Sequence, residues 1–152
     1  MNQSHQFIVF VLDEYRYALR LSAVKRIIRA IEITPLPKTL DIALGVINVQ
    51  GQIIPVIDIR KWFNLPEREI NLSDQLIIAS ISERIAALVV DRVTGVVDLS
   101  EGEVRVVEEI LPGMRYVEGV VKLGDDVIFI PDFERFLSFE AEKILEDTIK
   151  KA

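Results

Sequence analysis

The side chains able to do chemistry are few and scattered. His5 is the lone histidine, and no carboxylate, serine or second imidazole is spaced to partner it. A single imidazole could serve as a lone base, but nothing placed beside it marks it as one. Cysteine is absent, which removes disulfides, zinc–thiolate sites, iron–sulfur clusters and thiol nucleophiles. Asp58 and Asp132 could be imagined as a general acid and base. Each, however, precedes a short apolar stretch of helical spacing, where a carboxylate caps the helix by accepting a backbone N–H. Asp13-Glu14 and Asp125-Asp126 read as turns, since a calcium loop needs a longer run of alternating oxygen ligands. Gly119 to Gly124 has the spacing of a phosphate loop. The two aspartates after it would repel a phosphate, so a hairpin turn is the better reading. No catalytic residue, cofactor or metal is expected.

The elements that hold these residues dominate the composition. Of 152 residues, 50% are hydrophobic, and the 21 Ile and 18 Val point to strands rather than helices. Such a chain has enough apolar surface to fold and is no disordered tail. With 18 basic and 24 acidic side chains the net charge is −6, which argues against non-specific nucleic-acid binding. Nothing resembles a signal peptide or a run of about 20 apolar residues. The expectation is a soluble, cytoplasmic protein with no membrane insertion.

Along the chain, Gln6 to Asp13 is an apolar run that turns at Asp13-Glu14 and resumes over Arg16 to Leu21, a strand pair. Ser22-Ala23-Val24 could make one helical turn. Lys25 to Ile33 alternates charge with Ile until Pro35 and Pro37 end regular pairing. Ala43 to Val49 and Ile53 to Ile57 flank Gln50-Gly51-Gln52 as a hairpin, with Gly51 at the positive φ such turns require. Ile59, Trp62 and Phe63 then share one face of a short helix, and Pro66 to Ser73 is a polar linker.

The pattern then repeats. At an offset of 69, Gln6 to Val9 falls on Gln75 to Ile78, Ala18-Leu19 on Ala87-Leu88, Val24 on Val93 and Ile27 on Val96. At an offset of 74, Gly45-Val46-Ile47 falls on Gly119-Val120-Val121, Ile54 on Ile128, Asp58 on Asp132 and Trp62-Phe63 on Phe136-Leu137. The extra length lies in the loop Glu108 to Tyr116. Strict identities are few, but the element order is the same in both halves and each stretch aligns without a gap. Within one domain, 1–152, this predicts a mainly all-β fold of two lobes, about 1–70 and 71–137, each of about five strands. Small lobes of short strands favour closed or nearly closed barrels. Neither has much core alone, so the two should share one. Ser138 to Ala152, with Ala141, Leu145 and Ile149 at helical spacing, reads as a C-terminal amphipathic helix. Val24, Ile27, Val93 and Val96 follow polar turns rather than an alternating pattern. They are either partner-binding patches, one per lobe, or ordinary core.

The stretch Gly45 to Arg60, Gly-Val-Ile-Asn-Val-Gln-Gly-Gln-Ile-Ile-Pro-Val-Ile-Asp-Ile-Arg, resembles the signature of the CheW family of chemotaxis coupling proteins. That signature reads Gly-Val-x-Asn-[Leu/Ile]-Arg-Gly-x-[Ile/Val]-[Ile/Val]-Pro-[Ile/Val]-[Ile/Val]-Asp-Leu-Arg. Phe7 to Leu12 with Tyr17, Ala87 to Val93 and Val127 to Leu137 are similar to the family as well, so the resemblance covers nearly the whole chain. It implies two intertwined five-stranded SH3-like barrels. It also implies a non-enzymatic adaptor of a two-component pathway, and the isolated protein is expected to be a monomer. Such an adaptor joins the regulatory domain of a CheA-type histidine kinase to the cytoplasmic tips of methyl-accepting chemoreceptors.

Two positions depart from the pattern. Gln50 stands where the family usually has Arg, and Val24-Lys25-Arg26-Ile27 stands where it usually reads Val-x-Glu-[Ile/Val]. The departures fit a coupling protein of a separate, parallel array. Val24, Arg26, Ile27, Gly45, Gln50, Val93 and Val96 are the expected partner-binding residues, with the Val93–Val96 face expected to meet the kinase. The other reading is a regulatory or small-ligand-binding domain that keeps the fold outside a receptor array.

Overall fold

The computed structural model describes residues 4–30, 33–35, 43–81, 83–100, 103–106, 117–133 and 135. The strands are β1 (Ser4–Leu12), β2 (Tyr15–Arg20), β3 (Val24–Arg29), β4 (Ala43–Val49), β5 (Gln52–Ile57), β6 (Gln75–Ile81), β7 (Arg84–Val90), β8 (Arg92–Ser100), β9 (Arg105–Val106), β10 (Val117–Leu123) and β11 (Asp126–Pro131). A 3-10 turn at Leu21–Ala23 leads into β3, so Val24 opens the strand instead of closing a helical turn. Helix α1 (Ile59–Trp62) follows Asp58, whose carboxylate accepts the Arg60 N–H at 3.0 Å. Asp132 accepts the Arg135 N–H in the same way at 3.0 Å. Both aspartates are caps. The expected C-terminal helix 138–152 and the long loop 108–116 lie outside the described residues.

The strands form two sheets, ordered β8-β1-β2-β11-β10-β9 and β3-β6-β7-β5-β4. Apart from the two-residue β9, they are copies of one plan. Replacing each strand by its repeat partner turns β8-β1-β2-β11-β10 into β3-β6-β7-β5-β4. The registers agree as well. Val24 pairs Ala79 and Arg26 pairs Ile78 across a bulge, and the equivalent Val93 and Gly95 pair Phe10 and Val9 across the matching one. Gly45 pairs Val56 as Gly119 pairs Ile130. These are two SH3-like β-barrel lobes sharing a core.

The sheets do not follow the halves 1–70 and 71–137. Each half gives its first hairpin to the other half's last strands, so β2 runs parallel to β11 and β7 runs parallel to β5. Burial supplies the reason. Phe7 to Leu12 is buried at every position and Leu76 to Ala79 likewise, the pattern of strands covered on both faces. A hairpin kept in its own half would leave one such face wet. With the exchange, alternate residues serve two cores. Ile8, Phe10, Leu12, Ile77, Ala79 and Ile81 enter the core between the sheets. Phe7 and Val9 enter the interior of one sheet, and Leu76 and Ile78 that of the other.

Candidate functional site

The seven positions expected to meet partners fall in three places. Val24, Arg26 and Ile27 lie on β3, the edge of one sheet, and Val93 and Val96 lie on β8, the edge of the other. Gln50 sits on the turn between β4 and β5 with φ +51, beside Gly51 at φ +86, a two-residue hairpin turn with both central residues left-handed. Its side chain is exposed. They do not converge into one pocket.

The choice between patch and core divides within each pair. Val24 and Val93 are half-buried and pack against the shared core, so for them the core reading holds. Ile27 and Val96 are exposed, at 37% and 53%. Arg26 is exposed too. Gly45 is buried, and a Cβ there would come within 2.2 Å of the Thr34 carbonyl oxygen. Glycine at that position lets the residue 33–35 segment approach β4 through the Thr34–Val46 bridge.

A second exposed pair was not picked out from the sequence. Ile53 on β5 and Val127 on β11 are 61% and 52% exposed, and they are equivalent at the offset of 74. Buried neighbours Ile54 and Ile128 were the signal, since strand alternation turns the preceding residue outward. Two repeat-related apolar positions thus stand on each sheet.

A polar constellation at one junction of the sheets also went unread. Arg60, buried at the start of α1, donates through Nη2 to Asp13 Oδ1 at 2.7 Å and to Asp91 Oδ1 at 2.8 Å, and through Nη1 to the Pro66 carbonyl at 3.1 Å. Asp91 Oδ2 accepts the Asp13 N–H at 2.7 Å. Arg68 Nη2 donates to Asp91 Oδ1 at 2.6 Å, and its two terminal nitrogens grip the buried Asp74 at 2.8 and 2.7 Å. Burial opposes the charge on Asp91. The donors Arg60, Asp13 N–H and Arg68 prevail and hold its carboxyl below the usual range. The Asp74 hydrogen bonds and the neighbouring carboxylates likewise outweigh burial at Arg68 and raise its pKa. These ions are spent on one another and clamp the linker between the halves. Pairing this complete is structural within the network.

At the other junction lies an open cleft of about 260 Å³. It is lined by Leu19, Arg20, Ala23, Ser80, Ile81, Glu118 and Phe133. Among the described residues no cluster of three or more His, Asp or Glu is placed to hold a metal ion, and no helix is long and apolar enough to cross a membrane.

Comparison with known proteins agrees with this architecture. Residues 6–141 match the family model described as CheW-like domain. The chain is 34% identical to the chemotaxis protein CheW of Bacillus subtilis over 143 residues, 91% of this chain and 90% of that protein. It is 25% identical to the chemotaxis protein CheW of Treponema pallidum over 150 residues, 94% and 88% of the two chains. The crystal structure of the scaffolding protein CheW from Thermoanaerobacter tengcongensis superposes with a TM-score of 0.76 at 31% identity, covering 85% of this chain and 89% of that one. Sequence signature, exchanged sheets and solved relative agree, and this chain belongs to the CheW-like family.

Proposed function

We propose that this protein is a non-enzymatic adaptor of a chemotaxis-like two-component pathway, joining the regulatory domain of a CheA-type histidine kinase to the cytoplasmic tips of methyl-accepting chemoreceptors. The observation that carries the reading is the likeness to a scaffolding protein over 85% of the chain at 31% identity. The site geometry supports it. Buried ions are paired off and apolar side chains stand singly on sheet edges and outer faces, which suits protein contacts and not chemistry. An adaptor of this kind is cytoplasmic and monomeric until it meets its partners.

Of the positions expected to make contacts, Arg26, Ile27, Gln50 and Val96 have the exposure the role requires. Ile27 and Val96 are the apolar anchors, one on each lobe, and Val96 faces the kinase. Arg26 and Gln50 select the partner set, because a charge at an interface rim changes which partner fits more than it changes the fold. Co-sedimentation with receptor-bearing membranes and the kinase tests the adaptor reading. Kinase should reach the membrane pellet in proportion to the protein added, and a pellet containing the same kinase without it would sink the proposal.

A further inference from the structure

We propose that the free edge of β3 takes up an extended acidic segment of a partner protein as an added strand. The proposal rests on the adaptor reading and names the chemistry of one of its contacts. Among the described residues β3 has a single ladder partner, β6, so its other edge presents unused backbone donors and acceptors. Lys25, Arg26 and Arg29 are exposed along it, and none has a carboxylate partner among the described residues. Arg16, Arg20, Arg60 and Arg68, by contrast, are each matched to an acid. Three uncompensated cations on six residues of strand, in a chain of net charge −6, make a local field opposite in sign to the molecule's own. Exposed Ile27 lies among them.

Cations on an edge repel a basic strand and block edge-to-edge pairing of two copies. The strand they admit is an acidic one, so the charge that guards the edge also chooses its occupant. Main-chain hydrogen bonds then supply affinity, while alternate side chains supply specificity. The matched edge β8 provides the internal control, for it carries Thr94, Gly95 and Asp98 where β3 has Lys25, Arg26 and Arg29.

The test uses the full chain and a labelled peptide of alternating Glu and Val, with anisotropy for affinity and amide NMR shifts for location. Binding should shift β3 amides and leave β8 unmoved, weaken steeply with salt, and fall at least about tenfold in a K25E/R26E/R29E variant. Equal binding of a Lys–Val peptide, shifts centred on β8, or an unchanged affinity in the variant would overturn the proposal. So would phosphatidylglycerol vesicles or a single-stranded RNA shifting β3 where the acidic peptide does not. If the variant fails to fold, the wild-type shift map and salt titration decide. If the variant folds but still recruits kinase to receptor membranes as wild type does, strand addition fails while the adaptor reading stands.

Discussion

β3 and β8 hold the same place at the edges of two copies of one sheet and share their inward valines and the exposed pair Ile27 and Val96, yet their charges differ. Val24 and Val93 both pack on the shared core, and both strands bulge at the same step. Outward, one strand became basic and the other close to neutral. The junctions diverge in the same manner. One is locked by the Asp13–Arg60–Asp91–Arg68–Asp74 network, while at the other Arg20 and Glu118 stand beside an open cleft. Close packing penalises change in volume at equivalent core sites, whereas exposed positions tolerate substitution at small cost. The inward valines of the two edges therefore persist, although core pairs such as Tyr17 and Ala86 do not, and the two ends are free to take different work.

Breaking the locked junction should have the largest effect. Arg60→Met leaves Asp13 and Asp91 without their shared donor. Asp13 is exposed and Asp91 keeps Arg68, so losing these charge-assisted hydrogen bonds costs about 3 kcal/mol, and a chain of this size should then melt roughly 8 °C lower. Arg135→Met, near the other cap and exposed, should leave a calorimetric melt almost unmoved. Equal melts for the two variants would show that the junctions do not differ energetically.

Tyr17 sharpens the contrast in the shared core. Its repeat partner is Ala86, and its ring stacks on Phe63 at 4.3 Å and Phe10 at 5.7 Å. Burial first, then the charges nearby, push its pKa up from 10.0 to about 12. The fold favours the neutral phenol, so this stabilisation is complete below the unfolded value and is lost as pH rises from 10 to about 12. Urea melts should register a loss of about 3 kcal/mol across that window. Tyr17→Phe should abolish this part of the slope, and a slope unchanged in the variant would assign the loss to other groups.

The edge strands differ residue by residue in a smaller way. Val93→Glu places a carboxylate against the shared core and should cost about 2 kcal/mol. Val96→Glu, three residues along on the exposed side, should cost almost nothing in stability and should weaken kinase binding instead. Thermal melts and a binding titration on both variants separate core from contact, and a destabilised Val96→Glu would place it with Val93. The smallest effect on stability belongs to Arg26→Glu with Gln50→Arg. Exposed charges contribute about 0–1 kcal/mol, so the melt should stay put while partner preference moves toward a more typical chemotaxis set. Pull-downs against both partner sets read that change, and unchanged preference would leave the two departures without a specificity role.

Much of the fold was legible because it is local or repeated. The strand–turn–strand rhythm, the caps Asp58 and Asp132, and the turn at Gln50-Gly51 follow from alternation, capping chemistry and left-handed backbone over a few residues. The equivalence of Val24 with Val93 and of Ile27 with Val96 followed from the offset. The packing reason for Gly45 was not legible, because it depends on what approaches the glycine, here the Thr34 carbonyl from outside the strand pair. The Arg60 network was missed because its members, Asp13, Arg60, Arg68, Asp74 and Asp91, are spread over turns and a linker and share no periodicity.

By itself the sequence determined the elements, their duplication and the family signature, since each is written in patterns of two to four residues or in a constant offset. Only the tertiary structure decided which half each hairpin serves, which ions meet, and which residue of each edge, Val24 or Ile27 and Val93 or Val96, sees water. A strand covered on both faces reads the same whichever sheet it joins. The choice is made by the burial of the second face, which no single segment can achieve alone.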